Sequence, residues 1–201
     1  MNERLQKEFA GVLETLDHSD VAWLRAAGGD GLMIVVEFDV RSLYRGAQGV
    51  VEERAGVVGV RYQLHPDHPQ VPPIPVADTP QLFNVHINDP EFGAPNLPPI
   101  PLVCLGPFLP QTRLSDWVVA TYDLLRWARI STERPLNVAA AQFARRESAK
   151  PGRFPVDPRS FWRDGAESVA DETAAPPALN EREPSPAAAA GLRLGDGWRT
   201  T

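Results

Sequence analysis

The sequence predicts an α+β domain in which an antiparallel sheet is followed by an irregular, proline-rich segment and then by two helices. Three observations predict this class. Apolar residues recur at helical spacing over residues 2–16 and again over residues 113–129. Between these two stretches, apolar and polar residues alternate with the period of two that is typical of strands. Thirteen of the 21 prolines lie between Pro66 and Pro110, which excludes regular helix and central strand from that region.

The first predicted element is a helix over residues 2–16, with Asn2 as its N-cap. Arg4 and Lys7 lie off the apolar face of this helix. We therefore expect one face to pack on the core while the opposite face is solvated. The apolar face comprises Leu5, Phe9, Val12, Leu13 and Leu16.

Three strands are predicted next, joined as an antiparallel meander. Residues 21–26 form a short first strand, and the glycine-rich residues 28–31 form a hairpin-type turn. Residues 32–40 are apolar on both faces, so we expect this strand to be central. Residues 57–64 form the third strand. The polar residues 41–56 are predicted to be a loop or an edge element.

A fourth short strand is predicted at residues 74–77. It must lie at a sheet edge because Pro75 cannot donate to a strand ladder. Residues 78–111 follow as a long irregular crossover that contains the only cysteine, Cys104. This crossover is where we expect any chemistry, since functional residues are concentrated on shaped loops held by a rigid scaffold.

Two helices complete the predicted domain. The longer helix spans residues 113–129, and either Thr112 or Ser115 is expected to cap its start. The shorter helix spans residues 136–146, with Pro135 near its first turn, where proline is tolerated.

The composition predicts one domain, residues 1–164, followed by a tail, residues 165–201. The tail is rich in alanine and proline and has few bulky apolar groups, so we expect it to be disordered. A net charge of −6 argues against a nucleic-acid partner, and no apolar run approaches the ~20 residues that span a bilayer. One cysteine cannot form an internal disulfide, which favours a cytoplasmic protein, and no Cys/His spacing suits a metal.

Cys104 taken alone leaves two interpretations open. A single cysteine is most often a small buried hydrophobe, and a nucleophilic one needs a base or a positive field beside it. No histidine follows Cys104 in the sequence, and the local positive charge is Arg113. Spacing therefore does not predict a cysteine protease.

Four motifs, together with the order of elements, resemble the ubiquitin-conjugating (UBC-like) family and suggest a divergent bacterial branch. The resemblance spans residues 2–148. The first motif has histidine where the family has tyrosine, and the second has isoleucine where the family has proline. The motifs are His68-Pro69-Gln70-Val71-Pro72-Pro73, His86-Ile87-Asn88, Cys104-Leu105 and the helical run from Leu114 to Leu125.

The resemblance implies a transferase mechanism and a set of partners. Cys104 would accept the C-terminal acyl group of a ubiquitin-like protein as a thioester, which a target nucleophile then attacks. The Asn88 amide would stabilise the oxyanion, and His86 would support the active-site loop. The chain itself needs no cofactor, because ATP is used by a partner activating enzyme of the ThiF-like class. A deconjugating metallopeptidase of the same operon is a further candidate partner, and antiviral defence is the expected setting.

Analogy with the family also assigns surfaces. Helix one, with Arg4 and Lys7, would face the activating enzyme. Val71 and Phe108 would lie on a ligase-facing edge, or else be simple packing residues.

The chain departs from the family in one spacing: Asn88 lies sixteen positions before Cys104, about twice the family's distance, because residues 89–101 form a proline-rich insert. Two functions remain open. One is an active conjugating enzyme, and the other is an inactive UBC-fold module that binds a ubiquitin-like protein or its enzymes as a scaffold.

Overall fold

The computed structural model describes residues 3–28, 32–68, 70–90, 97–106 and 112–163. The predicted tail, residues 165–201, lies outside the described residues, as do residues 29–31 of the predicted hairpin turn. The elements, in chain order, are α1 (Glu3–Asp17), β1 (Ala22–Gly28), β2 (Met33–Arg45), β3 (Val51–Gln63), β4 (Ile74–Ala77), α2 (Leu114–Leu125) and α3 (Val138–Glu147). This confirms the predicted α+β order of elements.

The four strands form one antiparallel sheet in the order β1-β2-β3-β4, as predicted. Strand β2 pairs on both sides, with Phe38 opposite Ala22 of β1 and Val58 of β3. Its alternate residues, such as Val36, are completely buried. The run that is apolar on both faces is therefore the central strand.

The prediction that residues 41–56 form a loop or edge element was wrong for residues 41–45 and 51–56, which are paired strands; residues 46–50 form the turn between them. Strands β2 and β3 continue as one long hairpin until Arg45 pairs with Val51. On this extension, most of the residues that do not pack in the core are exposed. Their polar composition lacks the alternation from which a strand is predicted. Leu43 is completely buried there, and its carbonyl accepts the amide of Phe83, 2.9 Å away. The extension thus carries the start of the irregular segment.

The predicted caps of α2, Thr112 and Ser115, are replaced by a residue of α1. The Glu8 carboxylate accepts the backbone N–H of Leu114 at 2.7 Å, at the end of the helix where such donors lack intrahelical partners. Burial raises the pKa of Glu8, but the His68 imidazole, 3.7 Å away, and the bond from this N–H outweigh burial and lower it overall. The nearby Asp116 carboxylate also accepts the Arg113 N–H at 3.1 Å. The acceptor from Glu8 is distant in sequence, so local sequence could not predict that part of the cap.

Helix α3 begins at Val138, two residues later than predicted, because the Asn137 side chain caps it by accepting the Ala140 N–H at 3.0 Å. The segment that follows returns to the sheet through Asp157, whose side chain is 2% exposed. Burial raises the pKa of Asp157, but the Arg159 guanidinium and backbone N–H groups outweigh it and hold that pKa at about 2. Asp157 accepts the N–H of Arg41 in β2 at 2.8 Å, which anchors the segment.

The described residues contain neither a candidate membrane span nor a candidate metal site. None of their helices is both long and apolar enough to cross a bilayer. No group of three or more His, Cys, Asp or Glu side chains in the described ranges is arranged to hold a metal ion.

Candidate active site

Cys104 lies on a short extended segment, residues 101–104, that adds to the sheet beyond β4. The Ala77 N–H donates to the Pro101 carbonyl at 3.0 Å, and the Val103 N–H donates to the Pro75 carbonyl at 3.0 Å. Pro75 has no N–H to donate, but its carbonyl still accepts a hydrogen bond from the cysteine segment. Proline at the predicted edge is therefore compatible with one more pairing.

A second segment, residues 86–88, pairs with the other side of the cysteine segment. His86 lies in the turn over residues 84–87, where the Ile87 N–H donates to the Asn84 carbonyl at 3.3 Å. Ile87 lies opposite Val103 in an antiparallel bridge. The Cys104 N–H donates to the His86 carbonyl at 2.8 Å, and the Asn88 N–H donates to the Leu102 carbonyl at 2.9 Å. The backbone that carries the thiol is thus held between two neighbours.

The pairing decides which side chains share a face, because successive residues of an extended chain point to opposite sides. Ile87 and Val103 are buried in the core. Cys104, which follows Val103, is exposed, and His86, whose carbonyl accepts the Cys104 N–H, is only half-buried. The Cys104 thiol is free and exposed, which rules out the interpretation of a small buried hydrophobe.

Asn88 holds the insert. Its side chain is 2% exposed, and its amide nitrogen donates to the carbonyls of Pro98 at 3.0 Å and Ile100 at 3.1 Å. A carboxamide has only two N–H donors, so both are in use. Asn88 could serve an oxyanion only by releasing one of these bonds. Its catalytic role stays a prediction that this geometry does not favour.

The His86 ring is fixed by the loop that follows α2. Its Nε2 atom lies 3.2 Å from the backbone nitrogen of Ser131, whose N–H it accepts. The ring proton must then be on Nδ1, since a neutral imidazole donates from one nitrogen only. Burial lowers the pKa of His86, and the positive charge of Arg129 lowers it further. His86 is therefore neutral near pH 7.

Asn84 is a site residue that the sequence analysis missed. It is 1% exposed, its Nδ2 donates to the Leu124 carbonyl at 2.8 Å, and its Oδ1 accepts the His86 N–H at 3.0 Å. It ties the His86 segment to the end of α2. The sequence did carry a signal, because Asn often accepts the N–H two residues further on.

An open groove of about 200 Å³ lies beside the residue that follows the cysteine. One wall is the first half of α2, whose Trp117 and Ala120 face the groove, and another is Arg129. The groove has both apolar and charged lining. The lining residues are Leu105, Thr112, Asp116, Trp117, Ala120 and Arg129.

The surfaces assigned by analogy have mixed outcomes. Arg4 donates from Nη1 to the Gln70 side chain at 2.8 Å, so it braces the proline turn, whereas Lys7 is exposed. Val71 is 37% exposed on that turn. Phe108 lies outside the described residues. The contacts with partners remain predictions.

Three solved structures that resemble this chain are described as ubiquitin-conjugating enzymes. A novel ubiquitin-conjugating enzyme aligns with a TM-score of 0.48 at 15% identity, covering 72% of this chain and 85% of that chain. A ubiquitin conjugating enzyme of Toxoplasma gondii gives 0.46 at 16% identity, with 74% and 90% covered. A putative one from Trypanosoma cruzi gives 0.46 at 15%, with 72% and 90% covered.

No family model matches the sequence, and the search of curated proteins found no match. The likeness to the solved structures concerns the fold alone and carries no argument about activity.

Proposed function

We propose that the chain is a conjugating enzyme of a bacterial ubiquitin-like system. Cys104 accepts the C-terminal acyl group of a ubiquitin-like protein from a ThiF-like activating enzyme and passes it to a target nucleophile. Antiviral defence in the cytoplasm, and a metallopeptidase that reverses the conjugation, complete the proposal. These details rest on the motif resemblance.

The observation that carries the proposal is the placement of Cys104. The thiol is exposed, while the Cys104 N–H bonds to the His86 carbonyl and the preceding residues bond to β4 and to Asn88. A reactive group on a rigid support can receive an acyl group from another protein without a change of fold. A structural cysteine has no need of exposure, and most are buried.

The groove beside Leu105 supports the same proposal. Its lining includes Leu105, the residue after the cysteine, and three residues of α2, so it can hold a side chain of a C-terminal peptide near the thiol. Arg129 lies in its lining and can pair with a carbonyl or a carboxylate of that peptide.

The proposed chemistry needs little from the enzyme. In loading, the Cys104 thiolate attacks the acyl carbon of the donor thioester, and the donor's sulfur leaves as a thiolate. In transfer, an amine attacks the Cys104 thioester, a C–N bond forms, the C–S bond breaks and the amine's proton passes to water. A thioester is already activated, so stabilising the oxyanion is the main catalytic demand.

Reconstitution tests the proposal. The protein is mixed with the activating enzyme and the ubiquitin-like protein encoded beside it, with and without ATP. We expect an ATP-dependent adduct that thiols remove, and a Cys104→Ser variant whose adduct resists thiols. An adduct that forms equally on Cys104→Ala would contradict the proposal.

One observation favours a second candidate, the inactive binding module. Both N–H donors of the Asn88 amide are bonded to carbonyls of the insert. The hydrogen-bond donor that the family motif leads us to expect is therefore not free to serve an oxyanion at Cys104. A module of this kind would bind the ubiquitin-like protein or its activating enzyme without ATP, equally well as the Cys104→Ala variant, and would form no thioester.

A further inference from the structure

We infer that His86, rather than Asn88, supplies the hydrogen bond that stabilises the oxyanion at Cys104, through its Nδ1–H. The inference rests on the proposed function, since it concerns the transfer step at that thiol. Three features of the described residues carry it: the strand register, the anchored ring and the engaged Asn88 amide.

The isolated bridge between Ile87 and Val103 places the backbone of His86 across from that of Cys104. Ile87 pairs with Val103 in an antiparallel bridge, so His86, which precedes Ile87, lies across from Cys104, which follows Val103. The Cys104 N–H donates to the His86 carbonyl. Opposite residues of an antiparallel pair have Cβ atoms about 4.5–5.5 Å apart. An acyl group on Cys104 extends its carbonyl oxygen a further two bonds from Sγ, within reach of a neighbouring side chain.

The ring is anchored so that its donor is the nitrogen nearer the backbone. The Ser131 N–H occupies Nε2, which leaves the proton on Nδ1. Nδ1 has no hydrogen-bond partner among the residues that the structure describes. Because the imidazole is only half-buried, this donor can meet a carbonyl on the exposed thiol.

A neutral donor suits this chemistry better than a cation. An imidazolium could donate from Nδ1 as well, but it would carry a second proton on Nε2, against the Ser131 N–H. The burial and the Arg129 charge that lower the pKa of His86 keep the ring neutral and this geometry intact. The donor is therefore preorganised before the oxyanion forms, the condition under which such donors are most effective.

Two substitutions separate the roles of the two nitrogens. In His86→Asn the carboxamide can place an N–H near the Nδ1 position but leaves no acceptor for the Ser131 N–H. In His86→Gln the carboxamide reaches the Nε2 position and leaves nothing at Nδ1. His86→Ala removes both. Each variant is loaded with the ubiquitin-like protein in the reconstituted system, the activating enzyme is then quenched, and discharge to hydroxylamine is timed.

We expect His86→Asn to discharge within about 10-fold of the wild-type rate, and the Gln and Ala variants to be slower by ~10²–10³, the usual loss for one oxyanion donor. All three should still load on Cys104. The inference is overturned if His86→Gln keeps the rate, if His86→Asn is as slow as the alanine variant, or if all three discharge normally. Failure of the wild type to load would instead count against the proposed function.

A measurement on the unloaded protein guards against variants that fail to fold. The ¹⁵N chemical shifts of the His86 ring should identify the tautomer with the proton on Nδ1 near pH 7. Protonation on Nε2 would overturn the inference, and this measurement needs no partner enzyme.

Discussion

Asn88→Ala distinguishes a residue that holds the insert from one that stabilises the oxyanion. The substitution removes two hydrogen bonds, to the carbonyls of Pro98 and Ile100. A neutral hydrogen bond contributes about 1 kcal/mol to stability. Both carbonyls are half-buried, so water can replace part of what they lose. The Asn88 Oδ1 is buried without a partner in the described structure, and its removal offsets some of the cost.

The expected result is a loss of about 1–2 kcal/mol in the free energy of unfolding, measured by urea denaturation. The rate of discharge from loaded Cys104 should change by less than about 10-fold, because the amide does not serve the oxyanion. Ser42→Ala is a matched control. It removes a buried hydrogen bond of 2.6 Å to Leu125 and touches neither of the two paired segments.

A different result would refute this assignment. If Asn88→Ala slows discharge by ~10²–10³ while its stability falls no further than that of the Ser42→Ala control, Asn88 is the donor. The insert would then have to release it during the reaction.

Three predictions concern the scaffold that positions the thiol. The folded-state pKa of Asp157 is about 2 against an ordinary 3.8, which should contribute about 2 kcal/mol to the free energy of unfolding. This contribution is fully present above pH 4 and is lost as the pH falls toward 2. In Asp157→Asn the urea midpoint should therefore depend less on pH over that range. Glu8→Ala should lower the free energy of unfolding by about 1 kcal/mol, since it leaves the Leu114 N–H without its acceptor. Glu8→Gln keeps an oxygen acceptor and should lose less stability, and thermal unfolding of the two variants compares them. Thr121→Val should cost about 1–3 kcal/mol, because it leaves the buried Tyr62 hydroxyl without its 2.7 Å acceptor, and adding Tyr62→Phe should recover part of that loss in denaturant titrations.

Each of these three has an outcome that contradicts it. An unchanged pH profile in Asp157→Asn would mean that the carboxylate contributes nothing through its charge. Equal stability of the two Glu8 variants would mean that the oxygen acceptor is not what matters. A double variant no more stable than Thr121→Val alone would mean that an unsatisfied hydroxyl is not the cause.

Local patterns predicted the parts of the fold whose periodicity is uninterrupted. Strand β4 was placed at residues 74–77 because prolines bound it and Pro75 restricts it to an edge. The hairpin extension over residues 41–56 was missed, since pairing between two backbones does not require an apolar face. The cap from Glu8 was missed because it comes from 106 positions away in sequence.

The pairing between the Cys104 and His86 segments could not be predicted from the sequence for a similar reason. The motif suggested Asn88 as the partner of Cys104, but a shift of register by a residue or two changes which side chains face each other. That register is set by backbone bonds to β4 and by the Asn84 side chain, and neither leaves a pattern in the residues around the thiol. The structure thus turns attention from Asn88 to His86.

Intact-protein mass spectrometry of the reconstituted mixture tests the central claim most directly. With the activating enzyme, the ubiquitin-like protein and ATP, the account predicts one added mass, equal to the ubiquitin-like protein less one water, that maps to Cys104 and disappears with hydroxylamine. An unmodified Cys104 under these conditions, with the activating enzyme itself charged, would contradict the account.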